Sequence, residues 1–193
     1  VSLLEHQSGG RAILGIGRGL GRVEFEGFGV DQNESRARFV EGAQMVLEGL
    51  ERGWCEFDGQ YIRQARRDIR PRPLKGFRGR TYAAAMSPES QPIMARLGVG
   101  LLVIPMKPWD QHAAEIDAYR KAYREYQNTE APSPWATAWV YCDDNAQRAE
   151  ERGRHFLQAY WRSVVEHYEL AGDHLGKTRG YESYKDLQTA TSA

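Results

Sequence analysis

Short apolar runs alternate with longer segments of helical spacing along most of this chain. Each run is bounded by glycine, proline or polar residues and has no polar face. These properties are typical of parallel β-strands that are covered on both sides. The predicted strands span residues 11–17, 81–86, 100–104 and 135–141.

The segments that follow these strands carry apolar residues three and four positions apart, which is the spacing of an amphipathic helix. Asp31, with Glu34 three positions later, predicts the start of the first helix, which ends near Arg52. A small hairpin around Asp58-Gly59 and an arginine-rich extended connection separate that helix from the second strand. The predicted helices span residues 31–52, 89–97, 110–126 and 145–170, the hairpin 54–62 and the connection 63–80.

Four strand–helix repeats with buried strands predict a parallel α/β architecture. Two closures fit this pattern: a small, open, doubly wound sheet, or part of an eight-stranded barrel, which needs roughly 250 residues. The first two predicted strands are followed by long loops, and barrel sites are built from such loops. We therefore predict an α/β fold that is a fragment of a (β/α)8 TIM barrel.

The first predicted strand ends in Gly17-Arg18-Gly19-Leu20-Gly21. Glycines at alternate positions let a backbone turn sharply and approach a ligand closely, and Arg18 places a cation among them. The loop indicates either an anion-binding site or a plain turn with an exposed arginine. The motif that binds dinucleotides is excluded, because its sixth position is not glycine in either register, and the phosphate-loop triplet Gly-Lys-Ser/Thr does not occur.

The second predicted strand runs directly into Ser87-Pro88-Glu89-Ser90. Ser87 is expected to be the N-cap of the next helix, with Pro88 at the first helical position. The free amides at a helix N-terminus and a hydroxyl group form a standard anion site. Simple capping explains the same sequence, so both interpretations stay open.

Composition narrows the classes of function. The chain has 193 residues, with 26 Lys and Arg against 26 Asp and Glu. A formal charge of zero argues against a general nucleic-acid or membrane binder. The two cysteines make no disulfide framework, so we expect a cytoplasmic protein. The cysteines and the five scattered histidines have no metal-ligand spacing, so we expect no metal. The aromatic face of the last helix, residues 156–168, predicts core or a subunit interface, and thus a homodimer as one candidate assembly.

Five stretches, in order and with fitting gaps, resemble the bacterial-luciferase-like flavin-dependent monooxygenases, and a weaker similarity at Gly180-Tyr181-x-x-Tyr184 extends the resemblance over most of the chain. The first is GRAILGIGRG at residues 10–19, followed by Glu24 and Phe28-Gly29. The others are Glu41 in the following helix, Phe57-Asp58-Gly59, Pro71-x-Pro73, and residues 82–90 with their turn.

The resemblance implies an eight-stranded barrel of which this chain holds about strands four to seven. Strands one to three and strand eight would be absent, so residues 1–193 would be one partial barrel domain. The family segments that bear a histidine and the contacts to the flavin ring have no counterpart here. No catalytic residue is therefore predicted.

The resemblance also implies the chemistry. Family members use reduced flavin mononucleotide (FMN), supplied by a separate reductase, and O2 to oxygenate a small organic substrate. By position, Arg18 and the turn at Glu89-Ser90 would hold the flavin phosphate, with Ser87 as an extra contact. Glu24 would lie near the flavin or pair with a neighbouring arginine. The alternatives are a deazaflavin-dependent dehydrogenase or reductase on the same barrel, and a non-catalytic flavin-binding relative.

Overall fold

A parallel four-stranded sheet organises the first part of the chain. The computed structural model describes residues 1–85, 87, 89–105 and 107–185. The sheet consists of β1 (Leu14–Ile16), β4 (Thr81–Ala84), β5 (Gly100–Val103) and β6 (Trp135–Ala136), in that spatial order. All three pairings are parallel, which confirms the predicted α/β class. A doubly wound sheet reverses its strand order at a switch point, and this order does not reverse, so the barrel alternative is favoured.

Helices follow the strands as the periodicity predicted, and a two-stranded antiparallel hairpin interrupts them. The hairpin ends at Asp68, so the arginine-rich stretch that we expected to be an extended connection begins as a strand. The helices and hairpin strands are α1 (Ser2–Gln7), α2 (Arg22–Gly27), α3 (Ser35–Arg52), β2 (Trp54–Asp58), β3 (Arg63–Asp68), α4 (Ser90–Leu97), α5 (Trp109–Gln127), α6 (Ala146–His167) and α7 (His174–Lys177), with 3-10 turns at Gln32–Glu34 and Glu182–Lys185.

The chain forms two compact units, which we describe separately. The first comprises Val1–Arg18 and Arg36–Thr137, and the second comprises Gly19–Ser35 and Ala138–Ala193. The expectation that residues 1–193 form one domain stays a prediction.

The core of the first unit lies between the sheet and the helices α4 and α5. Tyr119 is 1% exposed, and its hydroxyl donates to the Val99 carbonyl at 2.7 Å. The buried residues of α5 lie three and four positions apart, as predicted: His112, Ile116, Tyr119 and Tyr123. The buried members of this cluster are Ala83, Met94, Ala95, Val99, Leu101, Val103, Ile116, Tyr119 and Tyr123.

A buried ion pair closes the N-terminal edge of the sheet. Glu5 of α1 is 0% exposed, and both of its carboxylate oxygens accept from the Arg80 guanidinium at 2.7 Å. Arg80 also donates to the carbonyls of Gly10, Ala12, Lys75 and Gly76. One side chain therefore joins α1, the approach to β1 and the approach to β4.

Glu41 of α3 holds the hairpin turn. Its carboxylate accepts three backbone N–H bonds, from Gln60 at 2.8 Å, Tyr61 at 2.9 Å and Ile62 at 3.1 Å. A Cβ at Gly59 would lie 2.5 Å from Glu41 Oε2, so the turn and the carboxylate require glycine there. Burial acts to raise the pKa of Glu41, but the three N–H bonds outweigh it and leave the pKa below 4.5.

Replacing Glu41 with glutamine is expected to lower the melting temperature, because the amide presents a donor to backbone donors. The folded-state pKa of Glu41 is depressed, so its contribution is present above pH 4.5 and is lost as pH falls through the folded-state pKa. The difference in melting temperature between parent and variant should therefore narrow in acid. Glu48→Gln, on the same helix with its exposed partner Arg52, is the control. Equal losses of melting temperature for both variants at neutral pH would contradict the role of the Glu41 carboxylate in holding the hairpin turn.

The second unit has a small core of its own, made of Leu170, Leu175 and Tyr181. Residues 19–33, expected to be a loop, contain the helix α2. Phe28 of this stretch is 86% exposed. Glu24 completes a capping arrangement by accepting from the Gly21 N–H, which is why a helix forms here.

The predicted last strand needs correction, and the aromatic face of the last helix, expected to be core or a subunit interface, is core along only part of its length. The strand expected over residues 135–141 ends at Ala136, and Val140 is 79% exposed. No residue of α6 is buried, and Phe156 and Tyr160 are 57% and 48% exposed. The aromatic face is therefore core only near its end, where Val164 and Tyr168 pack on Leu170. The homodimer stays a prediction.

Candidate functional site

The predicted anion-binding stretches lie at the same edge of the sheet. Leu14 pairs with Thr81 and Ile16 with Ala83, both in parallel. Because parallel strands end at one edge, the segments after β1 and β4, which carry Arg18 and Ser87, leave the sheet side by side. This is the C-terminal edge, where α/β proteins bind ligands.

Two serine hydroxyls meet at the start of α4. Ser87 is 2% exposed, and its Oγ lies 2.8 Å from Ser90 Oγ, in hydrogen-bonding contact. The Ser90 N–H donates to the Ser87 carbonyl at 3.0 Å, so the two residues close a turn. Ser90 is half-buried, and the pair lies at the N-terminal end of a helix, where the helix dipole favours negative charge.

The predicted capping arrangement is wrong in detail. Glu89, not Ser87, occupies the N-cap position of α4, and no side chain accepts a capping hydrogen bond there. The Ser87 hydroxyl is hydrogen-bonded to the Ser90 hydroxyl instead of to a backbone N–H, because the turn brings the two side chains together. Pro88 and Met86 lie outside the described residues. The predicted end of the helix is confirmed: Gly98 follows with φ at 70°.

Arg36, which the sequence analysis did not single out, lies next to this turn. Its Nη2 is 4.0 Å from Glu89 Oε2, and its side chain is 32% exposed. Arg36 is the second residue of α3, where the helix dipole disfavours a cation. An arginine at that unfavourable position was the available sequence signal.

The first unit thus supplies a donor set that suits an anion with several oxygens. Arg18, half-buried, and Arg36 contribute guanidinium groups, and Ser87 and Ser90 contribute hydroxyls. Guanidinium groups match phosphate geometrically and donate charge-assisted hydrogen bonds. Glu89 is the acidic member, and its side chain is 59% exposed, so solvent screens its charge. That these residues bind a phosphate together stays a prediction.

Glu24 belongs to the second unit. Its Oε2 accepts from the Gly21 N–H at 3.3 Å, and its Oε1 lies 3.5 Å from His167 Nε2. Burial, followed by the charge of Glu24, raises the pKa of Tyr168. These contacts are with a backbone amide and a histidine, whereas the sequence suggested an arginine. A role for Glu24 near a flavin stays a prediction.

A second polar cluster lies at the start of α5. Lys107 pairs with Glu115, whose other carboxylate oxygen is 3.9 Å from His112 Nδ1. His112 is 5% exposed, and within the described ranges its Nε2 has no hydrogen-bond partner. The cluster joins the segment after β5 to α5, and sequence reasoning had not connected these residues.

The residues that the structure describes include neither a group placed to hold a metal ion nor a helix suited to cross a membrane. No group of three His, Cys, Asp or Glu side chains is placed to hold a metal ion. None of the helices that the structure describes combines the length and apolar character needed to cross a membrane.

Comparisons with known proteins give a consistent picture. A model of the family described as luciferase-like monooxygenase matches residues 1–192. The alkanal monooxygenase alpha chain of Aliivibrio fischeri is 29% identical over 186 residues, which are 96% of this chain and 52% of that protein. The chain therefore spans about half the length of the relatives it matches.

Two solved structures share the fold. The monooxygenase RslO1 from Streptomyces bottropensis superposes with a TM-score of 0.78 at 22% identity, over 99% of this chain and 60% of that one. The coenzyme F420-dependent tetrahydromethanopterin reductase from Methanopyrus kandleri gives a TM-score of 0.63 at 19% identity, over 98% and 60%. Both are luciferase-like barrel proteins, so the parallel sheet belongs to that type of fold.

Proposed function

Because the chain belongs to the luciferase-like monooxygenase family, we propose that it provides the cofactor phosphate site of an enzyme that oxygenates a small organic molecule with reduced FMN and O2. Members of this family are oxidoreductases. The relatives include alkanal monooxygenases, which supports an oxygenating reaction over a deazaflavin-dependent reductase or a non-catalytic flavin-binding protein. A separate reductase would supply the reduced flavin.

One observation carries the proposal: the hydroxyl pair of buried Ser87 and half-buried Ser90, with Arg36 beside the same turn. Two hydroxyls that can rotate toward a ligand, at a helix N-terminus, provide donors for phosphate oxygens. Arg18 would add charge from the neighbouring strand end. These residues bind and orient the cofactor; when bound, the reduced flavin supplies the electrons that activate O2.

We place the described sheet at strands four to seven of the barrel. The strand order without reversal and the match to about half of the alkanal monooxygenase alpha chain support this placement. On this assignment, the C-terminal ends of β1 and β4 form one side of the cofactor site, and the flavin ring lies against other strands. The acceptor for oxygen is a small molecule of unassigned chemistry.

The second candidate is a deazaflavin-dependent reductase, which is favoured by the similarity to the F420-dependent reductase. The two cofactors differ where this site acts, because FMN ends in a phosphate monoester whereas the phosphate of F420 is a diester. A site with two arginines suits the more highly charged monoester better. FMN is therefore the first choice.

The test uses the full-length protein under anaerobic conditions. It is titrated with reduced FMN and, separately, with reduced F420, and each complex is then mixed with 18O2 and a panel of small organic compounds. We expect binding of reduced FMN and 18O in a product. Preferential binding of F420, with no label in any product, would instead establish the reductase. Failure of the folded protein to bind either cofactor would overturn both candidates.

Arg36→Ala is expected to weaken binding of reduced FMN about fivefold, the scale of a partly exposed charged contact. Riboflavin, which lacks the phosphate, should bind as before, and Arg36→Lys should recover part of the loss. Dissociation constants come from anaerobic fluorescence titration. Arg38→Ala is the matched control, because Arg38 lies on the same helix over the Tyr61 ring. Equal losses for FMN and riboflavin would assign Arg36 a purely structural role.

A further inference from the structure

The hydroxyl of Tyr181 lies at a junction of three chain segments. Tyr181 is 0% exposed, with its ring packed against Leu170 and Leu175. Its hydroxyl donates to the Gly19 carbonyl at 2.9 Å and is hydrogen-bonded to Ser35 Oγ at 3.1 Å. A buried tyrosine hydroxyl needs such partners, so both contacts are part of the folded state.

The two partners occupy special positions in the sequence. Gly19 directly follows Arg18, and Ser35 directly precedes Arg36. One hydroxyl therefore holds the two residues that adjoin the arginines of the candidate phosphate site. The proposed function does not account for this contact, since Tyr181 lies in a different segment from every residue assigned to the phosphate.

Backbone geometry makes the Gly19 contact demanding. Gly19 has a φ of +86°, and a Cβ there would lie 3.3 Å from the Phe25 ring. Glycine loses more conformational freedom on folding than other residues, so an ordered conformation at Gly19 needs stabilising contacts. The hydrogen bond from Tyr181 provides one.

Further contacts hold the same stretch, residues 19–35. The Gln32 side chain donates to the Leu20 carbonyl at 2.8 Å, joining the two ends of the stretch. Arg179 lies two residues before Tyr181 in the chain, and its N–H donates to Asn33 Oδ1 at 3.0 Å. The segment that carries Tyr181 is thus bound to this stretch at more than one point.

We propose that Tyr181 is a positioning residue for the phosphate site: by holding Gly19 and Ser35, it fixes the backbone from which Arg18 and Arg36 project. This inference rests on the proposed function, because it concerns the same phosphate. Prior ordering of both arginines reduces the conformational entropy that binding must remove. The effect is specific for ligands that use the arginines.

The experiment is Tyr181→Phe in the full-length protein, which keeps the ring and removes the hydroxyl. We expect the Kd for reduced FMN to rise about fivefold, the effect of one hydrogen bond, with the Kd for riboflavin changed less than about twofold. In the cofactor-free variant, amide hydrogen exchange should accelerate in residues 19–35. Ser35→Ala removes only one of the two contacts and should produce a smaller change in the same direction.

Tyr119→Phe is the matched control. It also deletes a buried tyrosine hydroxyl that donates to a backbone carbonyl, but in the core of the sheet and α5. It should lower the melting temperature and leave the ratio of the FMN and riboflavin Kd values unchanged. A general loss of stability is thereby separated from a loss of positioning.

The arginine variants distinguish the possible failures. If Arg18→Ala and Arg36→Ala weaken FMN selectively while Tyr181→Phe and Ser35→Ala do not, the positioning role is overturned and the phosphate site stands. If neither arginine variant affects FMN selectively, the phosphate site itself is wrong, and the positioning role falls with it. Should Tyr181→Phe fail to fold, Ser35→Ala decides the question.

Discussion

Replacing Arg80 with leucine is expected to lower the free energy of unfolding by about 3–5 kcal/mol, the usual effect of removing one partner of a buried ion pair. The variant leaves the Glu5 carboxylate without its guanidinium partner in a position that is 0% exposed. It also deprives carbonyls on two chain segments, at Gly10 and Ala12 among others, of their donors. Urea denaturation at neutral pH measures the loss.

Two companion variants identify its cause. Arg78→Leu, two residues earlier and exposed, should change the free energy of unfolding by less than about 0.5 kcal/mol. The double variant Glu5→Leu with Arg80→Leu should recover a large part of the loss, because it removes the unpaired charge. A loss of under about 1 kcal/mol for Arg80→Leu would mean that the pair contributes little.

The contribution of the Glu5–Arg80 pair to stability should also depend on pH. The hydrogen bond from Arg80 lowers the pKa of Glu5 below 4.5 and outweighs the opposing effect of burial. Since the folded-state pKa is depressed, the contribution of the pair is complete above the unfolded-state value and is lost as pH falls through the folded-state value. The difference between parent and Arg80→Leu should therefore narrow below pH 4.5.

The second large effect concerns the cofactor. Arg18→Ala should weaken binding of reduced FMN by about 1.5–3 kcal/mol, the scale of a charge-assisted hydrogen bond, and leave riboflavin almost unaffected. Anaerobic titration of the full-length protein measures both constants. Arg11→Ala is the control, since Arg11 precedes β1 and is exposed at the N-terminal edge of the sheet.

The outcome separates two roles for Arg18. Loss of FMN affinity alone assigns the guanidinium to the phosphate. Matching losses for FMN and riboflavin would show that Arg18 supports the loop, and the phosphate site would then depend on Arg36 and the two serines. A change as large in Arg11→Ala would point to a general effect of charge.

Local sequence patterns predicted the parallel sheet and the positions of most of its strands in the chain. Apolar runs bounded by glycine located β1, β4 and β5, because such signals come from residues adjacent in the chain. The edge that carries Arg18, Ser87 and Ser90 was also predictable, since it follows from strand direction alone. These residues remain proposed ligands of the phosphate.

Local sequence patterns could not predict contacts between residues that are far apart in the chain. Arg36 lies near Glu89, 53 positions away in the numbering, and the hydroxyl of Tyr181 bonds to Gly19 across 162 positions. No periodicity links such residues. The strand predicted beyond Ala136 failed for a related reason: strand propensity expresses packing against neighbours, and Val140 is largely exposed.

The two ends of the sheet respond differently to sequence change. At one rim, Arg80 and Glu5 hold the fold, and at the other lie the residues assigned to the cofactor. Between them run strands of three or four residues, about 10–13 Å at 3.3 Å per residue. That short span is enough to let the loops of the proposed binding rim change in sequence while the opposite rim keeps this segment folded.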